Sequence, residues 1–196
     1  MRNLHPILVL ATSLLPFATV QAAPANLPET GQTTCYNAAG TGTATCTGTG
    51  QDGELKAGVA WPAPRFVVGT GATADCVTDN LTGLMWTQNA NLPAGFRTWQ
   101  QALDYANNLI LCGFDDWRLP NVRELESLVN SEVGNQATFL NTQGFTGVQA
   151  NGYWSSSSFA GNPAIAWFVG LSDGSVYASS KNVTVSYYVW PVRAGQ

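Results

Sequence analysis

An α+β fold, with two helices packed on antiparallel sheets, follows from three features of the chain. Two helix-capping boxes, at Thr98 and at Asn121, each head an apolar run. Runs rich in β-branched and aromatic residues, broken by turn residues, stand before and after those helices. Four cysteines, with few charges around them, are the pattern of a disulfide-bonded exported domain.

The first 23 residues read as a signal peptide. Arg2 supplies the positive start, residues 7–20 an apolar stretch, and Val20-Gln21-Ala22 a small-residue cleavage site, with the cut after Ala22 or Ala23. The apolar run is shorter than the roughly 20 residues a membrane span needs. No later run is apolar enough to cross a membrane, so the mature protein is expected in the periplasm or outside the cell. Residues 24–60 form a Thr/Gly-rich extension that is too poor in large apolar side chains for a core of its own. It carries Cys35 and Cys46. Residues 61–196 form the main domain.

Trp61-Pro62-Ala63-Pro64 leads into a strand at Phe66-Val67-Val68. Cys76 to Trp86 reads as a hairpin, with turn signals at Asp79-Asn80 and Thr82-Gly83. Thr98 and Gln101 open the first helix, and Trp99, Ala102, Leu103, Ala106, Leu109 and Ile110 follow at helical spacing towards a stop at Gly113. The second helix starts after Pro120, with Asn121 as N-cap, Glu124 completing the box, and Val122, Leu125, Leu128 and Val129 as its apolar face. Residues 131–152 read as a long loop. From Tyr153 the chain is β-rich: a hairpin turns at Ser172-Asp173-Gly174, and a last strand runs from Val183 to Val192.

Four cysteines allow three pairings. The favoured one is Cys35–Cys46, closing a short loop, with Cys76–Cys112, tying an early strand to the end of the first helix. Four Cys without close spacing, and a single His5 in the signal segment, do not make a zinc site.

Charged residues are 10% of the chain, against about a quarter in a typical soluble protein. Without Arg2, seven basic residues face twelve acidic ones, a net charge near −5. Nucleic acid is therefore not an expected partner.

Four motifs carry a family resemblance. They are Val77-Thr78-Asp79-Asn80-Leu81-Thr82-Gly83-Leu84-Met85-Trp86, Trp117-Arg118-Leu119-Pro120-Asn121 with Glu124-Leu125, Tyr153-Trp154-Ser155-Ser156-Ser157, and Val189-Trp190-Pro191-Val192-Arg193. Together they resemble a bacterial domain-of-unknown-function family named after the C-terminal domain of the Legionella collagen-like protein. The resemblance covers residues 61–196. It implies a C-type-lectin-like fold with paired termini in one sheet, and an adhesive role.

The same fold group includes the formylglycine-generating enzymes, to which Arg118-Leu119-Pro120-Asn121 and Trp190-Pro191-Val192-Arg193 are similar. Their chemistry needs a late pair of cysteines, and here no Cys follows Cys112. The mature chain has no His, so a His-based triad is excluded. Asp115 and Asp116 are expected to cap a turn and to pair with Arg118 or Arg123, not to act as an acid/base pair. The Glu-Pro-Asn or Gln-Pro-Asp triplet of calcium-dependent lectins is absent. Calcium would have to draw on turn aspartates such as Asp75, Asp79, Asp115, Asp116 and Asp173, and no cofactor is expected.

What remains is binding. Trp86, Trp99, Trp117 and Trp190 are expected in the core. Tyr153, Trp154, Phe159 and Trp167 are the candidates for stacking on a sugar, with Asn151, Asn162, Asp173 and Ser155 to Ser158 as hydrogen-bonding neighbours. The expected function is a non-enzymatic binding or adhesion module for a carbohydrate or surface polymer. The alternative is a module that binds an envelope protein through the long loop.

Overall fold

The structure, a computed structural model, describes residues 27–195. The expected signal peptide lies outside the described residues. The elements are α1 (Asp52–Leu55), β1 (Phe66–Val68), β2 (Cys76–Asp79), β3 (Leu84–Thr87), α2 (Trp99–Asn107), α3 (Val122–Glu126), α4 (Gln136–Thr142), β4 (Gly152–Ser158), β5 (Ile165–Gly170), β6 (Val176–Ser180) and β7 (Val192–Ala194). The strands form two antiparallel sheets, ordered β1-β2-β3-β7 and β4-β5-β6. The fold is α+β, as expected. The first and last strands share a sheet, but as its two edges: β7 pairs with β3, because the β2–β3 hairpin lies between them.

Both expected disulfides form, Cys35–Cys46 and Cys76–Cys112. Both capping boxes form as well. Thr98 accepts from the Gln101 amide and Asn121 from the Glu124 amide, while each N3 side chain returns a bond to its cap.

Several expectations are corrected. The first helix ends at Asn107, so Leu109 and Ile110 lie beyond it and Ile110 is 77% exposed. The Asn108 side chain donates back to the Asp104 carbonyl and closes that last turn. Gly113 instead joins Cys112 in a left-handed turn, φ +80° and +56°, bridged by Leu111 and Phe114. Residues 131–152 are not one long loop. Asn135 caps α4 by accepting from the Thr138 amide, and Ala137 and Leu140 on that helix are buried.

The last strand is Val192–Ala194, beyond the expected Val183 to Val192 except for Val192, and residues 187–192 divide their bonds among several partners. Tyr187 pairs with Arg97, Tyr188 bridges to Tyr153, and Val192 bridges to Arg118. The segment thus stitches the two sheets together instead of lengthening one.

The main core lies between the sheets. Trp190 is its centre, 5.5 Å from Trp86, 4.9 Å from Phe145 and 5.7 Å from Tyr153, ring centre to ring centre. Its indole N–H donates to the Thr87 carbonyl at 2.9 Å. A second cluster sets Ala102 and Ala106 of α2 beside Trp154, Ala166, Val189 and Leu119. Trp86, Trp117 and Trp190 are interior, as expected, and Trp99 packs half-buried on the second cluster.

The extension is fixed to the domain. The Ser131 amide donates to Thr30, the Trp61 indole to Glu29, and the Thr33 and Thr34 amides to the Glu132 carboxylate at 2.6 and 3.0 Å. The Thr33 amide, followed by the hydroxyl and amide of Thr34, pulls the Glu132 carboxyl from 4.5 down to about 2. A depressed carboxyl stabilises the folded form above its ordinary value and loses that contribution as pH falls through the folded one. The latch is therefore complete above about pH 4.5 and opens on the way down to 2. Amide chemical shifts of Thr33 and Thr34 are expected to titrate in that acid window. Glu132→Gln should show released shifts already at pH 7. A midpoint at the ordinary carboxyl value would refute the latch.

Candidate functional site

The β4–β5–β6 sheet carries most of the expected binding residues, and its pleat divides them. Tyr153 and Trp154 are 0% exposed, a correction to their expected role, since a buried ring offers no face to a sugar. The Tyr153 hydroxyl accepts from the Gln149 amide at 2.9 Å, and burial holds the phenol above its usual range. The Trp154 indole donates to the Arg97 carbonyl at 3.0 Å. Both residues hold the sheet to its neighbours.

Trp167 is half-buried, with Phe159 edge-on at 5.3 Å. The Ser155 hydroxyl donates to its carbonyl at 2.7 Å, which fixes the strand beneath it. Trp167 lines a cleft of about 220 Å³ with Val176 of β6 and Val122, Arg123 and Glu126 of α3. Arg123 donates to Glu126 at 2.6 Å, and its side chain is 83% exposed. The cleft therefore joins an indole and two valines to a rim holding both a donor and an acceptor. Sequence reasoning found Trp167 and Phe159 but not Arg123 and Glu126, whose place here depends on α3 packing against β5.

The sheet's other face carries a ring ladder that sequence reasoning missed. Phe168 stacks on Tyr187 at 4.2 Å and on Tyr177 at 5.3 Å. A Cβ on Gly152 would fall 2.6 Å from Tyr187 and 2.8 Å from Phe168, so only glycine leaves the rings room. Gly152 pairs with Gly170 across the strands, and Tyr177 leans over the latter. Phe168 is stacked against two neighbouring rings, which makes the ladder a packing device. Tyr177 is 43% exposed and caps its outer end.

Asp173 and Asn151 are exposed beside the hairpins. The Asp173 carboxylate accepts from the Ser175 amide and, at 2.7 Å, from the Tyr177 hydroxyl. These bonds, in that order, hold its carboxyl below the usual range. The Asn151 carbonyl accepts from the Leu171 amide at 2.9 Å. Neither residue lines the Trp167 cleft.

Most cations are committed to partners. Arg65 pairs with Asp79, Arg118 with Glu124, Arg123 with Glu126 and Arg193 with Asp116. One of Asp115 and Asp116 was expected to meet Arg118 or Arg123, and the one that forms an ion pair is Asp116. It meets Arg193 because β7 lies alongside, while Glu124, one turn into α3, claims Arg118. Arg97 donates to the Phe96 and Pro93 carbonyls, and Lys181 lies over the Trp99 ring at 4.0 Å. Among the described residues no three His, Cys, Asp or Glu stand together as metal ligands. No helix there is long and apolar enough to cross a membrane.

A family model described as the Lcl C-terminal domain matches residues 75–193. No curated protein matches the chain.

Proposed function

The chain belongs to the Lcl C-terminal domain family, and on that premise we propose that it is an exported, non-enzymatic module that binds a carbohydrate or surface polymer. The observation that carries this reading is the Trp167 cleft. An indole beside valines offers dispersion contact to the C–H face of a sugar ring, and Arg123 with Glu126 offers a donor and an acceptor to its hydroxyls. Export is supported by two disulfides, which persist in oxidising compartments. The envelope-protein alternative relied on a free loop at residues 131–152. Much of that segment is α4 and a latch for the extension, which favours the cleft.

A glycan array probed with the protein, with and without calcium, tests the reading. Saturable binding is expected, and Trp167→Ala should weaken it at least about thirtyfold, since truncating a central Trp costs about 2 kcal/mol or more. Unchanged affinity in a folded Trp167→Ala variant would remove the cleft from consideration. Trp154→Ala is unsuitable as a probe, because emptying that interior site costs about 3–5 kcal/mol of stability.

A further inference from the structure

We propose that the N-terminal extension is the second wall of a groove that takes an uncharged polysaccharide chain, of which the Trp167 cleft holds only one end. This rests on the carbohydrate reading of that cleft. At about 220 Å³ the cleft is smaller than the roughly 300–1,000 Å³ usual for ligand pockets, enough for about one sugar ring. Arg123 and Glu126 line it on one side. The same two residues line a second, larger groove of about 1210 Å³. The floor of that groove includes Leu84 and Val129 of the domain, and its far wall includes Glu29 and Thr30 of the extension. The two spaces thus border the same Arg123–Glu126 pair on α3.

The far wall is built, not merely adjacent. The Glu29 amide donates to Val59 and the Val59 amide to Leu27, which doubles the extension back on itself. The Ser131 amide holds Thr30 at 2.8 Å. Gly31 lies so close to the domain that a Cβ there would fall 2.6 Å from Asn130 Oδ1. The extension also lies outside residues 75–193, the span that matches the family. The second wall is therefore an addition to the domain, and it forms a surface the domain alone lacks.

Charge selects the occupant. Arg123 is the one cation lining the groove among the described residues, and Glu126 neutralises it. Glu124 is matched by Arg118, and among the described residues Glu29 has no salt-bridge partner, which leaves the groove slightly negative. A sulfated or uronic polymer would meet no unpaired cation there. An uncharged chain loses nothing, and a lining that combines leucines and a valine with Thr30, Thr82, Ser127 and Ser131 suits a ligand with both C–H and hydroxyl edges.

The test is calorimetry of the full mature protein against cello- and chito-oligosaccharides from dimer to hexamer, with heparin alongside. For the series that binds, affinity is expected to rise about tenfold or more from dimer to hexamer. Ser131→Trp and, on the opposite wall, Glu29→Trp should each abolish that gain while leaving dimer binding unchanged. Both variants should keep the wild-type Thr33 and Thr34 amide shifts, which report a seated extension. Heparin is expected to be silent. Equal affinity for dimer and hexamer, with Trp167→Ala still abolishing both, overturns the groove and leaves the cleft standing. Salt-sensitive heparin binding without oligosaccharide binding overturns the uncharged ligand. Binding of neither, with an envelope protein captured instead, overturns the cleft and the groove together.

Discussion

Asp79→Ala is expected to remove about 3–5 kcal/mol of folding stability, the cost of stranding one partner of a buried ion pair. Asp79 is 0% exposed and each of its oxygens accepts twice. Oδ1 takes Arg65 Nε and the Leu81 amide, both at 3.0 Å, and Oδ2 takes Arg65 Nη2 at 2.9 Å and the Thr82 hydroxyl at 2.8 Å. Arg65 is itself interior, with its guanidinium 4.3 Å from the Trp61 ring centre and 4.5 Å from that of Phe66. Its Nη1 already has no hydrogen-bond partner. Without the carboxylate only the Ser127 carbonyl would still accept from it, leaving a nearly bare cation beside the core. The β2–β3 turn would lose its organiser in the same step. Urea unfolding measures the cost, and a loss under about 1 kcal/mol would refute the account. The pair Arg65→Met with Asp79→Leu should recover much of the loss, because an apolar replacement of both partners removes the stranded charge.

That residue shows how far the sequence could be read. The Asp79-Asn80 turn was visible as chain punctuation, and the hairpin forms where it was expected. The partner of Asp79 was not visible, because Arg65 reaches it across the β1–β2 register, in which Phe66 faces Asp79. The same division holds elsewhere. The capping boxes follow from local chemistry, and the Cys35–Cys46 pairing from the short loop it closes. Helix α4 escaped notice because it is only two turns long, with three apolar residues, Ala137, Phe139 and Leu140, among polar ones and in a stretch rich in loop-forming residues. Tyr153 and Trp154 were candidates for a binding surface because they flank residues 131–152, read as a long loop. Ser155 is in fact buried, its hydroxyl spent on the Trp167 carbonyl. Of the candidate cleft, only the aromatic part was legible. Its charged rim arises where a helix and a sheet far apart in sequence come together.

Removal of the Cys76–Cys112 bond, by Cys76→Ser with Cys112→Ser, is expected to cost about 4 kcal/mol, the loop-closure entropy of a bond between residues 36 apart. For a chain of this size that corresponds to a fall in Tm of about 8–16 °C. The location of the bond gives it leverage. Cys76 is buried at the start of β2, facing Thr87 of β3, and Cys112 occupies the left-handed turn after α2. That turn has few other anchors: the Leu111–Phe114 bridge, and the Trp117 indole donating to the Leu111 carbonyl at 3.2 Å. Just downstream, Asp116 holds Arg193, Arg118 bridges to Val192, and Asn121 caps α3. A loosened turn therefore weakens the segment that holds β7 on the first sheet and starts α3, which packs on the second. The Cys35–Cys46 bond, with a separation of 11, lies wholly in the extension. Its loss should leave the main transition nearly unmoved and release the Thr33 and Thr34 amides from Glu132. Thermal melts of the two double variants, read with those amide shifts, separate the cases. Equal falls in Tm would mean that the extension is as much part of the folding unit as the turn at Cys112 is.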